Sequence, residues 1–200
     1  MIGQETFRGE ICGIGTTSGT RVVIGRWPTS PFGPFADAMV EHPDGRRIFV
    51  APDEQIASYV TSVYGFDDLV VAPAETVRTA HRLRFFGGPL HVDAVVGRRD
   101  ALGWALRSVP VRVATSPAWA TLVDPVARVV LRGVRTRGST PGGDEFYGAT
   151  DRHAVDAVTA TWEGRDLGPL AAVDPPVRFG FSSTPRRPSI VAVTTTVRRR

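Results

Sequence analysis

Residues 76–96 constrain the fold more than any other stretch, because apolar and polar side chains alternate there twice in succession. Val77, Thr79, His81, Leu83 and Phe85 fall on one side of an extended chain, and Arg78, Arg82 and Arg84 fall on the other. After Gly87 and Gly88 the alternation resumes, with Leu90, Val92, Ala94 and Val96 set against His91, Asp93 and Val95. A period of two means a half-buried strand, and a glycine pair between two such runs means an antiparallel hairpin. Pairing Phe85 with Leu90, Leu83 with Val92 and Arg82 with Asp93 brings both apolar sides together. Pro89 has no N–H to close the turn, so a slightly longer loop is expected. On this reading His81 points inward.

The remainder of the chain is also strand-rich. Residues 22–27 read as a strand, and 38–42 and 46–51 flank a His-Pro-Asp-Gly turn. At Asp53 the period changes: Ile56, Tyr59, Val60, Val63 and Tyr64 follow helical spacing, with Asp53 as cap and Gly65 as terminator. A second helix starts near Asp100, carries Leu102, Ala105 and Leu106, and cannot pass Pro110. Further strands are expected at 111–114, 119–123, 126–136, 146–162, 177–181 and 190–197. The fold class is therefore mainly β with two short helices (α+β), an antiparallel β-barrel or sandwich. Residues 1–200 are expected to form a single globular domain, with the Gly-Pro-rich stretch 163–176 as the candidate linker.

Composition excludes more than it assigns. All 24 basic residues are arginine; lysine and asparagine are absent. Both missing residues have A-rich codons, so the genome of a high-GC bacterium accounts for the bias. The net charge of +4 is modest, and no specific nucleic-acid partner is expected. Without lysine no side-chain amine can form a Schiff base. No apolar run is long enough for a membrane span, and the first residues lack the basic-then-apolar pattern of a secretory signal, so the expectation is a cytoplasmic protein with no membrane partner. Cys12 stands alone, which rules out a disulfide within this sequence and a cysteine-based zinc site. The four histidines form no ligand motif, so neither metal nor cofactor is expected. Gly-Ile-Gly-Thr-Thr-Ser-Gly from Gly13 has Ser18 where a dinucleotide loop needs glycine, and Gly-Phe-Ser-Ser-Thr from Gly180 has Thr184 where a nucleophile elbow needs glycine.

Val-Gly-Arg-Arg-Asp-Ala-Leu-Gly, from Val96, resembles the Val-Gly-Arg-Glu-Leu stretch of the acetoacetate decarboxylase-like superfamily. The resemblance implies a largely antiparallel β-barrel with a few helices. Arg99 stands where that family has its site glutamate, and the family's Schiff-base lysine falls near Ala105. The resemblance thus implies the barrel without lysine-dependent decarboxylation.

Residues 133–153 gather arginines, acids, a tyrosine and a histidine around a Ser-Thr-Pro-Gly-Gly turn. Pairing Arg137 with Glu145 and Arg135 with Tyr147 gives a face that is apolar at depth and charged at the turn, which suits a pocket mouth and equally a plain hairpin. Asp151 and His153 share a strand face, where a carboxylate can orient an imidazole. The candidate ligand-binding residues are His81, Arg135, Glu145, Tyr147, Asp151 and His153. Residues 190–197 are expected to be a solvated edge strand with a frayed basic end. Three functions remain open: binding of a small, anionic molecule in a barrel pocket; an enzyme using His81 or His153 as acid or base; and an interaction module that self-associates through strand edges or holds an acidic partner.

Overall fold

The structure, a computed structural model, describes residues 4–131, 133–140 and 143–199. In chain order these form β1 (Gln4–Thr16), β2 (Arg21–Thr29), β3 (Phe35–Glu41), β4 (Arg47–Ala51), α1 (Glu54–Thr61), β5 (Asp68–Val71), β6 (Ala74–Arg78), β7 (Arg82–Gly87) and β8 (Leu90–Arg99). Then follow α2 (Ala101–Ser108), α3 (Val111–Ala114), α4 (Pro117–Val130), β9 (Arg137–Thr140), β10 (Gly143–Trp162), β11 (Arg165–Asp166), β12 (Leu170–Ala171) and β13 (Ser189–Arg198). One sheet runs in the order β5-β4-β3-β2-β1-β13-β10-β8-β7-β6, antiparallel except for β4 with β5. It curls into a half-barrel.

The period of two gives the sheet two separate interiors. On the concave face Cys12, Ile14, Val22, Ile24, Ala38, Val40, Leu83, Phe85, Val92 and Ile190 form one continuous apolar cluster. Their neighbours along the same strands, Ile11, Val23, Met39 and Val191, point to the opposite face. That second face is covered by α1, α2, α4 and the segment 177–185. Burying both faces of the central strands explains the unbroken apolar runs Val22-Val23-Ile24 in β2 and Ile190-Val191-Ala192-Val193 in β13.

The helix caps follow the sequence. Asp53 Oδ1 accepts from Ile56 N at 2.8 Å, and Asp100 Oδ1 accepts from Gly103 N at 2.9 Å. The His-Pro-Asp-Gly turn joins β3 to β4 with Gly45 at φ +90°.

Several expectations are corrected. The mainly β architecture holds, but there are four helices among the described residues: 111–114 and 117–130 are helical rather than extended. The strand expected to carry His81 is broken by a turn at 79–81, where Thr79 Oγ1 accepts from Arg82 N at 3.1 Å. His81 is therefore exposed and not inward, and Val77 is exposed too. In the following hairpin Phe85 faces Val92 and Leu83 faces Ala94, two residues from the expected register, so the same apolar side stays buried. Arg82 still reaches Asp93, at 2.9 Å. Residues 177–181 are loop, not strand. Residues 163–176 are held against the sheet, with β12 paired to β1, so they do not behave as a linker. The last strand is not an edge: β13 lies between β1 and β10, and Thr194, Thr195 and Thr196 are buried. Its basic end is occupied, Arg198 over the Phe146 ring and Arg199 on Glu5. Arg132, Pro141 and Gly142 of the stretch 133–153 and its approach, and the terminal Arg200, lie outside the described residues.

Candidate functional site

Between the second face of the sheet and its helical cover lies a cavity of about 510 Å³, in the range of a small-molecule site. Strands β1, β2, β3, β13 and β10 supply its floor through Ile11, Val23, Met39, Val193 and Ala149. Helix α1 closes one side with Tyr59, followed by Tyr64 just past its end, the 177–185 segment lies across it with Val177 and Phe179, and α2 and α4 contribute Leu102, Leu106, Val123 and Ala127. Gly148 lets the helical cover settle onto β10, since a β-carbon there would lie 2.6 Å from Thr115 Cα.

Three polar spots interrupt this apolar wall. At the first, Arg152 on β10 is buried among Asp100, which holds Nη1, and the carbonyl of Arg187, 3.4 Å from Nη2. Its Nε finds no protein partner, nor do the nearby hydroxyls of Ser189 and Thr184. Ser189 pairs with Gly13 across the sheet, and Thr184 packs directly over Gly13, so these groups share one end of the cavity.

At the second spot, Tyr64 Oη donates to Glu145 Oε2 at 2.6 Å, Tyr147 Oη lies 2.7 Å from Tyr64 Oη and 3.3 Å from the same carboxylate oxygen, and Thr140 Oγ1 donates to Oε1 at 3.2 Å. Burial pushes Glu145 up from its ordinary value while the three hydroxyls oppose that shift. Burial, with Tyr147 and Glu145 beside it, holds Tyr64 protonated well beyond the usual tyrosine range, and burial with Glu145 does the same for Tyr147 against the opposing Tyr64 hydrogen bond. Thr195, cross-strand from Tyr147, adds a further buried hydroxyl without a protein partner.

At the third, Asp37 is buried with Trp27 Nε1 donating to Oδ1 at 3.3 Å. Burial raises its carboxyl to about 7, with the Trp27 bond acting the other way.

The six sequence-predicted residues divide evenly. Arg135, Glu145 and Tyr147 line the cavity together. Arg135 is committed to Asp124 of α4, which accepts from its Nε at 3.2 Å and from Thr136 N at 2.9 Å. The strand pairing differs by one residue from the expectation: Arg137 faces Phe146, and Gly138 faces Glu145. Asp151 and His153 lie outside the cavity lining. They are neighbours, Nε2 to Oδ2 3.8 Å, but Asp151 belongs to Arg99, which grips it with two bonds of 2.7 and 2.8 Å and holds its carboxyl below the usual range. His153 Nδ1 is 3.1 Å from the Gly97 carbonyl. His81 is remote, on the exposed turn. Sequence reasoning missed Arg152, Asp37, Trp27 and Tyr64. Asp37 alone carried a legible signal, a carboxylate between Phe35 and Met39 on one strand face.

Among the described residues no three histidine, cysteine or acidic side chains gather as a metal would require, and no helix is long and apolar enough to cross a membrane.

No protein-family profile matches the chain, and no curated protein matches it. Among solved structures it is similar to the crystal structure of acetoacetate decarboxylase from Legionella pneumophila subsp. pneumophila str. Philadelphia 1, with a TM-score of 0.50 and 9% identity over 98% of this chain and 85% of that one. The fold is acetoacetate decarboxylase-like. The likeness is one of fold, reached with very different side chains. Ala105, near which the sequence resemblance sets the Schiff-base lysine, lines the cavity and carries no amine.

Proposed function

We propose that this protein binds a small, largely apolar molecule bearing one carbonyl or carboxyl group in the cavity between the sheet and its helices. A single observation carries the reading. Of the buried side-chain atoms without a protein hydrogen-bond partner among the described residues, Arg152 Nε, Thr184 Oγ1, Ser189 Oγ and Thr195 Oγ1 all belong to residues that line this cavity. A buried polar group left unpaired costs about 1–3 kcal/mol, so such groups normally have a partner. Here the partner comes from inside the cavity.

The chemistry of the first spot narrows the ligand. Arg152 is already balanced by Asp100, so it offers an N–H donor rather than an uncompensated positive charge. Two hydroxyls beside it can each donate or accept. An acceptor oxygen suits this end, and the apolar remainder suits Ile11, Val23, Met39 and Val193.

Thermal shift with a medium-chain fatty acid, the matching methyl ketone and the matching alkane tests this. The acid and ketone are expected to raise the melting temperature, and the alkane much less. Ser189→Ala is expected to keep the unliganded stability and to weaken the ketone by roughly tenfold, the loss of one buried hydrogen bond. Stabilisation of none of the three, with Ser189→Ala and Thr195→Val simply more stable than the wild type, would mean that the cavity holds only water.

A further inference from the structure

The helical cover carries apolar surface on its outside as well as its inside. A helix that is apolar all round is normally buried. On α4, Trp119, Val123 and Ala127 face the cavity, while Leu122 and Val129 stand 69% and 82% exposed. Trp104 on α2 is 60% exposed. Of the eleven exposed large hydrophobic side chains among the described residues, seven fall within 104–130, so they are concentrated on the helical cover. Val126 and Val130 are exposed and also line the cavity, which makes the patch the rim of the cavity mouth.

Its charge has one sign. From residue 101 to 133 the sequence has Arg107, Arg112, Arg128 and Arg132 against one acid, Asp124. Asp124 is buried and already holds Arg128 at 2.8 Å and Arg135 at 3.2 Å. The exposed face therefore presents valine, leucine and tryptophan among Arg107, Arg112 and Arg128, of which Arg107 lies 3.7 Å from Asp151 and Arg112 is exposed, with no acid other than the buried Asp124 between residues 101 and 131. Two copies meeting through this face about a two-fold axis would set arginine against arginine. An anionic lipid surface satisfies both features, apolar contact and opposite charge.

We infer that α2, α3 and α4 form a docking face for an anionic membrane surface, seated so that the cavity mouth opens toward the lipid. Such docking is peripheral and needs no membrane span. The inference does not rest on the ligand reading, since vesicle binding and ligand stabilisation are separate measurements.

Sedimentation with vesicles of phosphatidylcholine, alone and mixed with phosphatidylglycerol, decides it, with light scattering of the same protein to give its oligomeric state. Expected are binding to the mixed vesicles that weakens with salt, little binding to phosphatidylcholine alone, and loss of binding in Leu122→Asp/Val129→Asp with melting temperature unchanged. Arg112→Ala, on an exposed side chain, is expected to weaken binding roughly fivefold, the contribution of one basic residue near an anionic surface. Binding to neither vesicle, equal binding by the aspartate variant, or a stable dimer that only the aspartate variant dissolves would overturn the inference.

Discussion

Thr184 lies directly over Gly13: a β-carbon on residue 13 would sit 2.5 Å from Thr184 Cβ. The absent side chain thus admits the 177–185 segment to the sheet and seats one of the cavity's unpartnered hydroxyls. Gly13→Val is expected to displace Thr184 and to destabilise the fold by about 1–3 kcal/mol, the usual cost of overpacking. Ligand stabilisation should fall as well, and Thr184→Gly in the same chain should restore part of the stability. Urea midpoints of the two variants check this, and additive losses would refute the contact.

Asp37 gives a pH dependence with a definite sign. Its ordinary value is 3.8 and burial raises it to about 7 in the folded protein. Between those values the folded state keeps a proton that the unfolded chain has lost, so stability falls as pH rises and levels off above about 7. Asp37→Asn keeps an acceptor for Trp27 and removes that slope. The variant should match the wild type near pH 4 and exceed it near pH 8, by roughly 2–4 kcal/mol. A constant difference from pH 4 to 8 would show that Asp37 does not titrate there.

The Tyr64–Glu145–Tyr147 cluster should behave as a unit. Glu145→Ala strands two buried phenols and is expected to cost about 1–3 kcal/mol beyond the lost packing. Tyr64→Phe alone should cost about 1 kcal/mol. A double-mutant cycle between Tyr64→Phe and Glu145→Gln should return a coupling of about 0.5–3 kcal/mol, and zero coupling would contradict the 2.6 Å bond.

Glu41 anchors the segment across the cavity. It is fully buried, lies 3.3 Å from Arg21 Nη2, and accepts from Arg178 N at 2.9 Å and Arg178 Nε at 3.1 Å. Glu41→Ala leaves the buried Arg21 uncompensated and is expected to cost about 3–5 kcal/mol. The variant should also lose ligand stabilisation, because Arg178 tethers Val177 and Phe179 at the cavity wall. Retained stability in chemical denaturation would remove this anchor from the account.

What the sequence revealed was local. Alternation gave most of the long strands, and Asp53 and Asp100 announced the first two helices. Helix α4 was hidden because its valine-rich runs read as two strands, 119–123 and 126–136. The opposing signal was present in Ser116-Pro117, a cap and first-turn pair, with Ser116 Oγ accepting from Trp119 N at 3.2 Å. Glu145 and Tyr147 were legible because a strand keeps alternate residues on one side even where its partner's register is misread. Tyr64 and Arg152 reach the cavity only through the folded chain, and nothing adjacent to them in sequence marks it. His81 misled because a three-residue turn restarts the alternation without altering the apolar pattern.

The pairing of β1 with β13, which sets Gln4 against Arg198 and Gly13 against Ser189, has a kinetic consequence. One edge of β1 can pair with β2 as soon as both are made, but its other edge waits for β13, which follows every other strand described. Until then β1 exposes an unpaired edge with Phe7, Ile11 and Ile14 beside it, an invitation to intermolecular pairing. Refolding should be slow for a chain of this length, since its central contacts span nearly the whole sequence. Joining residues 4 and 198 through a short connector and reopening the chain at the exposed 79–81 turn would turn the longest closure in the molecule into a local hairpin, and should speed folding while leaving the cavity unchanged.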